Sequence, residues 1–587
     1  MSRCLLARWS PRQEELANEM QPCWGMAHQH EPAFAHPSPA AQQHFSHAER
    51  MKRKGHWREA ATALLAGLEL EPGCVEGLLS LAEVCLKLNQ AEGAMTALTT
   101  AARRSPQDPR IWTSMGDVFR SRNMPAQAAE CYLSALKARP ADPKLRFAYG
   151  VSLLESRRAR AAASVLRTLT AWRPSDPQVW LQLGAAARLC GEREEAFAAL
   201  RRALELHPRN PAAHVELGIL FRESRQYEEA EWRYREALRL HSDFIPALVN
   251  LGNLYGELLR LEEADSAYAK VLALDPDHAP THCSRAMLWL LQGRFEEGWR
   301  EYEWRWRQPG TELPATGKPK WDGTADVSGR TVLLYAEQGS GDTIQFVRYA
   351  RLLKQRGARV LLACRDELTR LMQNVPELDG VLTSGDALEG VDLYCPVLDL
   401  PGAFRTDLAS IPAWRRYLEP PPGVPPDPRT LHYAEPRVGI AWAGNPNHPN
   451  DRNRSCRFEH FLPLSQLMGV KIFSFQVGPA ARQVAGAIYR DVIPLAPVLE
   501  DYAATAVNLD QMNAVITVDT SVAHLAGALG KPTAILLPYS PDWRWLLDRS
   551  DSPWYPSVRL FRQTRPGEWE NVIEQACDWL RDVLSRS

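Results

Sequence analysis

The residues best suited to chemistry lie in four short stretches of the second half of the chain. Thr517–Pro532 reads TVDTSVAHLAGALGKP. An apolar run ends at Val518, the turn Asp519, Thr520 and Ser521 follows, and a helical pattern begins at once. The first amides of a helix lack intrahelical partners and sit at the positive end of its dipole. A phosphate or pyrophosphate fits there, and His524, one turn in, could donate to it. The same turn could equally cap the helix, and His524 could equally be a hydrogen-bonded core histidine.

The second stretch, Ala336–Arg348, reads AEQGSGDTIQFVR. Gly339 and Gly341 allow a ligand to approach the backbone closely. Asp342 stands where a strand gives way to a helix, so it is a helix cap, a base, or both. The third, Gly439–Arg457, carries Asn445, Asn447, Asn450 and Asn453 with Arg452, Arg454 and Arg457. Such cations could meet a departing diphosphate, where charge develops in the transition state. His448 and Asp451 lie among them. The fourth, Pro538–Tyr555, offers Trp543, Arg544 and Trp545, either to cover a nucleotide base and close a cleft or to pack. The Asp-x-Asp at Asp275–Asp277 falls on a repeat turn and reads as structural, so no metal is expected.

These stretches need a frame that brings strand ends together. Arg330–Glu337, Arg359–Ala363, Gly380–Thr383 and Asp392–Cys395 read as strands, with helices at Thr343–Gln355 and Asp366–Gln373. Strands then recur at Arg437–Trp442, Lys471–Phe475, Ala514–Val518 and Thr533–Leu537, with helices at Val522–Leu529 and Trp569–Leu584. Strand–helix alternation predicts parallel sheets. Prolines 412, 420, 421, 422, 425, 426 and 428 mark a linker between two lobes. Two nucleotide-fold lobes form a cleft beyond the carboxyl ends of their strands.

The first half is built differently. Eight registers of 34 residues run without a gap from 41 to 312. Their eighth position reads Ala48, Ala82, Gly116, Gly150, Gly184, Gly218, Gly252, Ala286, and their twentieth is Ala seven times and then Gly298. Small residues at both places let paired helices approach. Proline recurs at the thirty-second position, ending the second helix. Tyr132, Tyr234, Tyr268 and Tyr302 fill the gaps between helices. In length, small positions and terminal proline this resembles the tetratricopeptide repeat, an all-α superhelix whose groove usually holds a peptide or partner protein. The sixth position reads Ser46, Ser80, Ser114, Ala148, Gln182, Glu216, Asn250, Ser284. The asparagine ladder of repeat-bearing O-GlcNAc transferases is absent.

The α/β half resembles the heptosyltransferase-like glycosyltransferases, which have the two-lobed GT-B fold. The resemblance rests on Asp519, Thr520, Ser521 and His524, on the Gly339–Asp342 loop, and on WDG at Trp321–Gly323. It implies that the Asp519–His524 turn contacts donor phosphates and that Asp342 is the general base toward an acceptor hydroxyl. It also implies that helix amides and arginines replace a metal. Where similar proteins show Gln-Lys-Gly, this chain has Gln476, Val477 and Gly478. The end of repeat eight, EEGWREYEWRWR, is similar to the junction in bacterial repeat–glycosyltransferase fusions.

The expected division is a flexible tail at 1–40, eight repeats at 41–312, a linker at 313–328, an acceptor-side lobe at 329–426 and a nucleotide-sugar lobe at 427–587. The expected function is transfer of sugar from a nucleotide-sugar cosubstrate to a protein acceptor, such as flagellin or another surface protein, recruited by the repeats. No other cofactor is expected. The alternative is a non-catalytic scaffold with a degenerate nucleotide cleft. A lipopolysaccharide heptosyltransferase would leave the repeats without a task.

Composition agrees with a soluble globular chain. Of 587 residues, 45% are hydrophobic and 24% charged, and 69 basic against 70 acidic groups leave a net charge of -1. That balance supplies no footprint for a nucleic-acid backbone. Eleven cysteines without a C-x-x-C pair read as free thiols in a reducing compartment. No apolar run has the roughly 18 residues of a membrane span, and Met1–Leu6 is too short for a secretory signal. A cytoplasmic protein is expected. His28, His30 and His36 lie in the tail and read as flexible rather than metal-binding.

Overall fold

The computed structural model describes residues 37–585 apart from 309, 312, 315, 384, 385, 387, 432, 466, 468 and 485–491. The histidines of the expected tail lie outside the described residues. Two compact units divide between Ser242 and Asp243.

The first unit is a stack of helix pairs. Pro39–Arg53 packs with Trp57–Leu70, Val75–Lys87 with Ala91–Arg104, and Pro109–Ser121 with Pro125–Ala138. Three more pairs follow, ending at Leu240. The small eighth position is a steric necessity: a Cβ on Gly116 would lie 2.6 Å from the Tyr132 ring. The thirty-fourth position carries the stop and restart. Asp108, Asp142, Asp176 and Asn210 each accept the backbone N–H two residues on, with proline opening the next helix.

The second unit begins with repeat seven (Ile245–Glu257 and Leu261–Leu274) and repeat eight (Ala279–Leu291 and Phe295–Tyr302). The compact boundary therefore falls inside the run of repeats, not at residue 312. Repeat eight ends early, tightening into a 3-10 turn at Glu303–Arg307. Arg305 lies in this turn. Its buried guanidinium is held by Glu337 Oε1 at 2.9 Å and Asp399 Oδ1 at 2.5 Å.

Two parallel sheets follow. The first contains β1 (Thr331–Tyr335), β2 (Arg359–Ala363), β3 (Gly380–Leu382) and β4 (Leu393–Pro396), in the order β3-β2-β1-β4. The second contains β5 (Arg437–Ala441), β6 (Lys471–Ser474), β7 (Val492–Pro494), β8 (Ala514–Val518), β9 (Thr533–Leu537) and β10 (Val558–Arg562). Its order, β10-β9-β8-β5-β6-β7, is that of a doubly wound sheet, reversing direction between β5 and β8. All pairings within both sheets are parallel.

The two expected linkers are packed straps. Trp321 is fully buried, and its N–H bonds Tyr394 O at 2.8 Å beside β4. Gly323 follows at φ 91, where a Cβ would strike Ala403 O, so WDG marks a tight turn. In the proline-dense stretch, Tyr417 N–H reaches Ala528 O at 3.0 Å and Leu418 is buried. One hydrophobic core runs from Leu290 and Trp299 of repeat eight through β1 to Trp543, Trp545, Trp554 and Tyr555. Among the described residues, no helix is long and apolar enough to cross a membrane.

Candidate functional site

Asp342 lies on the short helix Ser340–Phe346, which follows β1 after a four-residue loop whose last residue, Gly339, is the N-cap. Asp342 is the third residue of this helix rather than its N-cap, and its Oδ2 reaches back to accept Gly339 N–H at 2.9 Å. The expected helix Thr343–Gln355 is two helices, Ser340–Phe346 and Tyr349–Gln355. Arg348 at their junction is buried and donates to Gln345 O, Trp554 O and Tyr417 OH at 2.7, 2.6 and 2.9 Å. That ties the first sheet's helix to the strap and to the second sheet.

The helix Ser521–Ala528 starts directly after β8. Thr520 occupies its N-cap position but makes no capping bond. Its hydroxyl instead lies 3.3 Å from Thr517 Oγ1. The first turn is thus left without a side-chain cap, as an anion site requires. Ser521 Oγ accepts from Tyr502 OH at 2.8 Å, which leaves its own proton for another acceptor.

The two motifs meet. Gly341 lies so close to this helix that a Cβ would stand 2.9 Å from His524 Cδ2. His524 is buried, stacks on Trp545 at 5.5 Å between ring centres, and shares a hydrogen bond with Tyr555 OH at 2.9 Å. Burial, with Arg544, Arg348 and Arg454 nearby, holds its pKa well below the imidazole range. The ring is neutral at pH 7, with Nε2 4.0 Å from Asp519 Oδ1. Asp519 is itself pushed up to about 6, by burial first and by Asp542 next.

The three loop arginines separate. Arg457 is exposed beside Glu459. Arg452 turns to repeat seven, where Nη2 lies 3.2 Å from both oxygens of Glu257. Arg454 turns inward beneath Gly444, where a Cβ would stand 2.7 Å from Nη2. Its Nε is buried without a hydrogen bond, 3.5 Å from Asp451 Oδ1. Its charge acts on Asp519, His524 and His448. β5 and β8 flank the point where the second sheet reverses, and Arg454 and the Asp519 turn lie in the segments that follow these two strands.

Trp543 and Arg544 are buried and cannot cover a base. Trp543 packs edge-on to Trp299 of repeat eight at 5.2 Å and under Phe346. Arg544 donates to Asp342, Gln345 and Asp542 at 2.5, 2.7 and 2.8 Å. Gln476 locks the loop after β5, accepting Trp442 and Ala443 N–H through Oε1 and donating to Ala443 O. Sequence reading missed Gln345, Tyr502 and Tyr555. Gln345 and Tyr555 lay inside two of the four stretches without being singled out, whereas Tyr502 lay outside them, 19 residues from the Ser521 hydroxyl it bonds.

Residues 45–242 and 245–278 each match a model described as tetratricopeptide repeat. Protein FlbA of Caulobacter vibrioides is 26% identical over 338 residues, 51% of this chain and 55% of that protein. The chain thus spans about half the length of this curated relative. A solved tetratricopeptide repeat protein of Parabacteroides merdae is 12% identical, covering 43% of this chain and 99% of that one with a TM-score of 0.39. A thermophilic TPR protein of Thermus thermophilus is 24% identical, covering 31% and 99% with a TM-score of 0.29. The N-terminal half of the chain is built of tetratricopeptide repeats.

Proposed function

We propose that the chain is a glycosyltransferase that uses a nucleotide-sugar donor and a protein acceptor recruited by its repeats. One observation carries the reading: Asp342 and the uncapped start of Ser521–Ala528 converge, through Gly341 and His524, at the carboxyl ends of two parallel sheets. The donor diphosphate would lie on the Ser521 turn with Arg454, both supplying positive potential where negative charge develops on the leaving group. Neutral His524 would donate a hydrogen bond rather than a proton. Asp342 would take the acceptor hydroxyl proton, which a poor nucleophile needs to lose in the transition state.

Asp342→Asn should lower transfer by roughly a hundredfold to ten-thousandfold, the usual worth of a general base, with nucleotide-diphosphate binding retained in calorimetry. Undiminished turnover would remove the base assignment. The scaffold reading has its own observation. Both oxygens of Asp342 already hold donors, Gly339 N–H and Arg544. Absence of binding to every nucleoside diphosphate tested would favour it. The acceptor is a partner protein by the ordinary use of such repeats. Comparing the glycosylated proteins of a deletion strain with those of its parent identifies it.

A further inference from the structure

The strongest unexplained arrangement is the guanidinium of Arg544, a buried cation that faces the candidate base from the other sheet. Its donors are directed in three ways. Nη2 reaches Asp342 Oδ1 at 2.5 Å, Nη1 reaches Asp542 Oδ1 at 2.8 Å, and Nε reaches Gln345 Oε1 at 2.7 Å. Its plane rests on Trp543, with Cζ 4.3 Å from the ring centre. Trp543 is wedged between Trp299 and Phe346. The Arg544 side chain is 9% exposed and that of Asp342 is 18% exposed. The cation therefore has one orientation, and so does the carboxylate beneath it.

We propose that Arg544 is the positioning residue of Asp342: it aims the carboxylate and keeps it ionised within the buried site. The inference rests on the reading of Asp342 as general base. A carboxyl group withdrawn from water favours its protonated form, and a protonated acid cannot accept the proton of a hydroxyl. Arg544 opposes that tendency directly. Oδ1 and Oδ2 each keep a second lone pair, so the carboxylate can still accept from an acceptor hydroxyl while Gly339 and Arg544 hold the group.

The charged and titratable groups around Asp342 set a balance. Arg544 and His448 favour the anion, Asp542 opposes it, and burial opposes it most. The Tyr302 hydroxyl of repeat eight also lies within their field. The net direction is upward, toward the range a base needs. Asp542 has a defined part here. By sharing the guanidinium, it prevents Arg544 from holding Asp342 as an inert ion pair.

The test is an infrared titration of the full chain carrying 13C-carboxyl aspartate. The band of Asp342 is isolated by subtracting the spectrum of Asp342→Asn. In Arg544→Gln the midpoint of Asp342 should rise by about one pH unit, a tenfold gain in proton affinity. Arg544→Lys should recover part of that shift. Asp542→Asn, which leaves Arg544 in place, should move the midpoint down. Unmoved midpoints in Arg544→Gln and Asp542→Asn overturn the inference, and leave the base assignment intact if Asp342→Asn still abolishes transfer. A moved midpoint with transfer undiminished in Asp342→Asn overturns the base assignment and leaves the pairing.

Discussion

Arg452 and Arg454 are two residues apart, yet they have different tasks. Arg452 is bound to Glu257 of repeat seven, whereas Arg454 keeps a buried Nε without a hydrogen bond beside the Asp519 turn. A charged hydrogen bond to phosphate is worth roughly 1.5–3 kcal/mol. Arg454→Met should therefore weaken nucleotide-diphosphate binding about tenfold to a hundredfold, while Arg452→Met should leave it within about twofold, both by calorimetry. Asp519 makes a second residue-scale case. Its folded pKa lies above its unfolded value, so ionisation destabilises the fold. That penalty is absent below the unfolded pKa of 3.8, grows as pH rises to about 6, and is constant above. Asp519→Asn should thus raise stability above pH 6, by about 3 kcal/mol, and leave it little changed near pH 4. Thermal melts at the two pH values check this.

At the scale of elements, the two glycines of the first loop are not equivalent. Gly339 has an ordinary extended conformation, and a Cβ there meets Asp342 Oδ2 alone, at 3.2 Å. Gly341 is the point where two helices touch, because its missing Cβ would press on His524. Overpacking such a contact costs about 1–3 kcal/mol. Gly341→Ala should lower the melting temperature and turnover together, and Gly339→Ala should do so less. The straps belong to this scale as well. Prolines at 412–428 and glycine at 323 are familiar linker residues, yet here they hold Tyr417 to Ala528 and Trp321 to Tyr394. Proline's fixed φ and glycine's access to positive φ suit a packed strap as much as a spacer, so composition alone did not distinguish them.

For the whole molecule, the consequential finding is that repeats seven and eight share a unit with the sheets. Trp299 and Tyr302 lie in the same core as β1, and the Trp299 indole bonds Thr406 O at 2.8 Å. Arg305 bridges Glu337 after β1 and Asp399 after β4. A fragment beginning at residue 313 would leave Trp543 without Trp299 and both carboxylates without their arginine. Breaking a buried pair in this way costs roughly 3–5 kcal/mol, a large share of typical domain stability. The fragment 243–587 should unfold cooperatively, and 313–587 should be insoluble or bind the dye ANS, as circular dichroism and fluorescence would report.

Local spacing determined much of this protein. The 34-residue period, the small eighth and twentieth positions, and the strand–helix alternation were legible because they reflect contacts close in the chain or repeated along it. So was the turn at Asp519–Ser521, since a strand end followed by a helix start is a local event. β7 and β10 were not legible, nor was the helix Tyr502–Asp510, because short buried runs carry little period. The roles of Arg452, Trp543 and Arg544 were decided only by tertiary structure. Each side chain has a partner far along the chain: Glu257, Trp299 and Asp342. A residue type declares what bonds it can form. The folded backbone alone brings the partner within reach, and here it turned one arginine to a repeat, another beneath Gly444, and a third to the carboxylate proposed as the base.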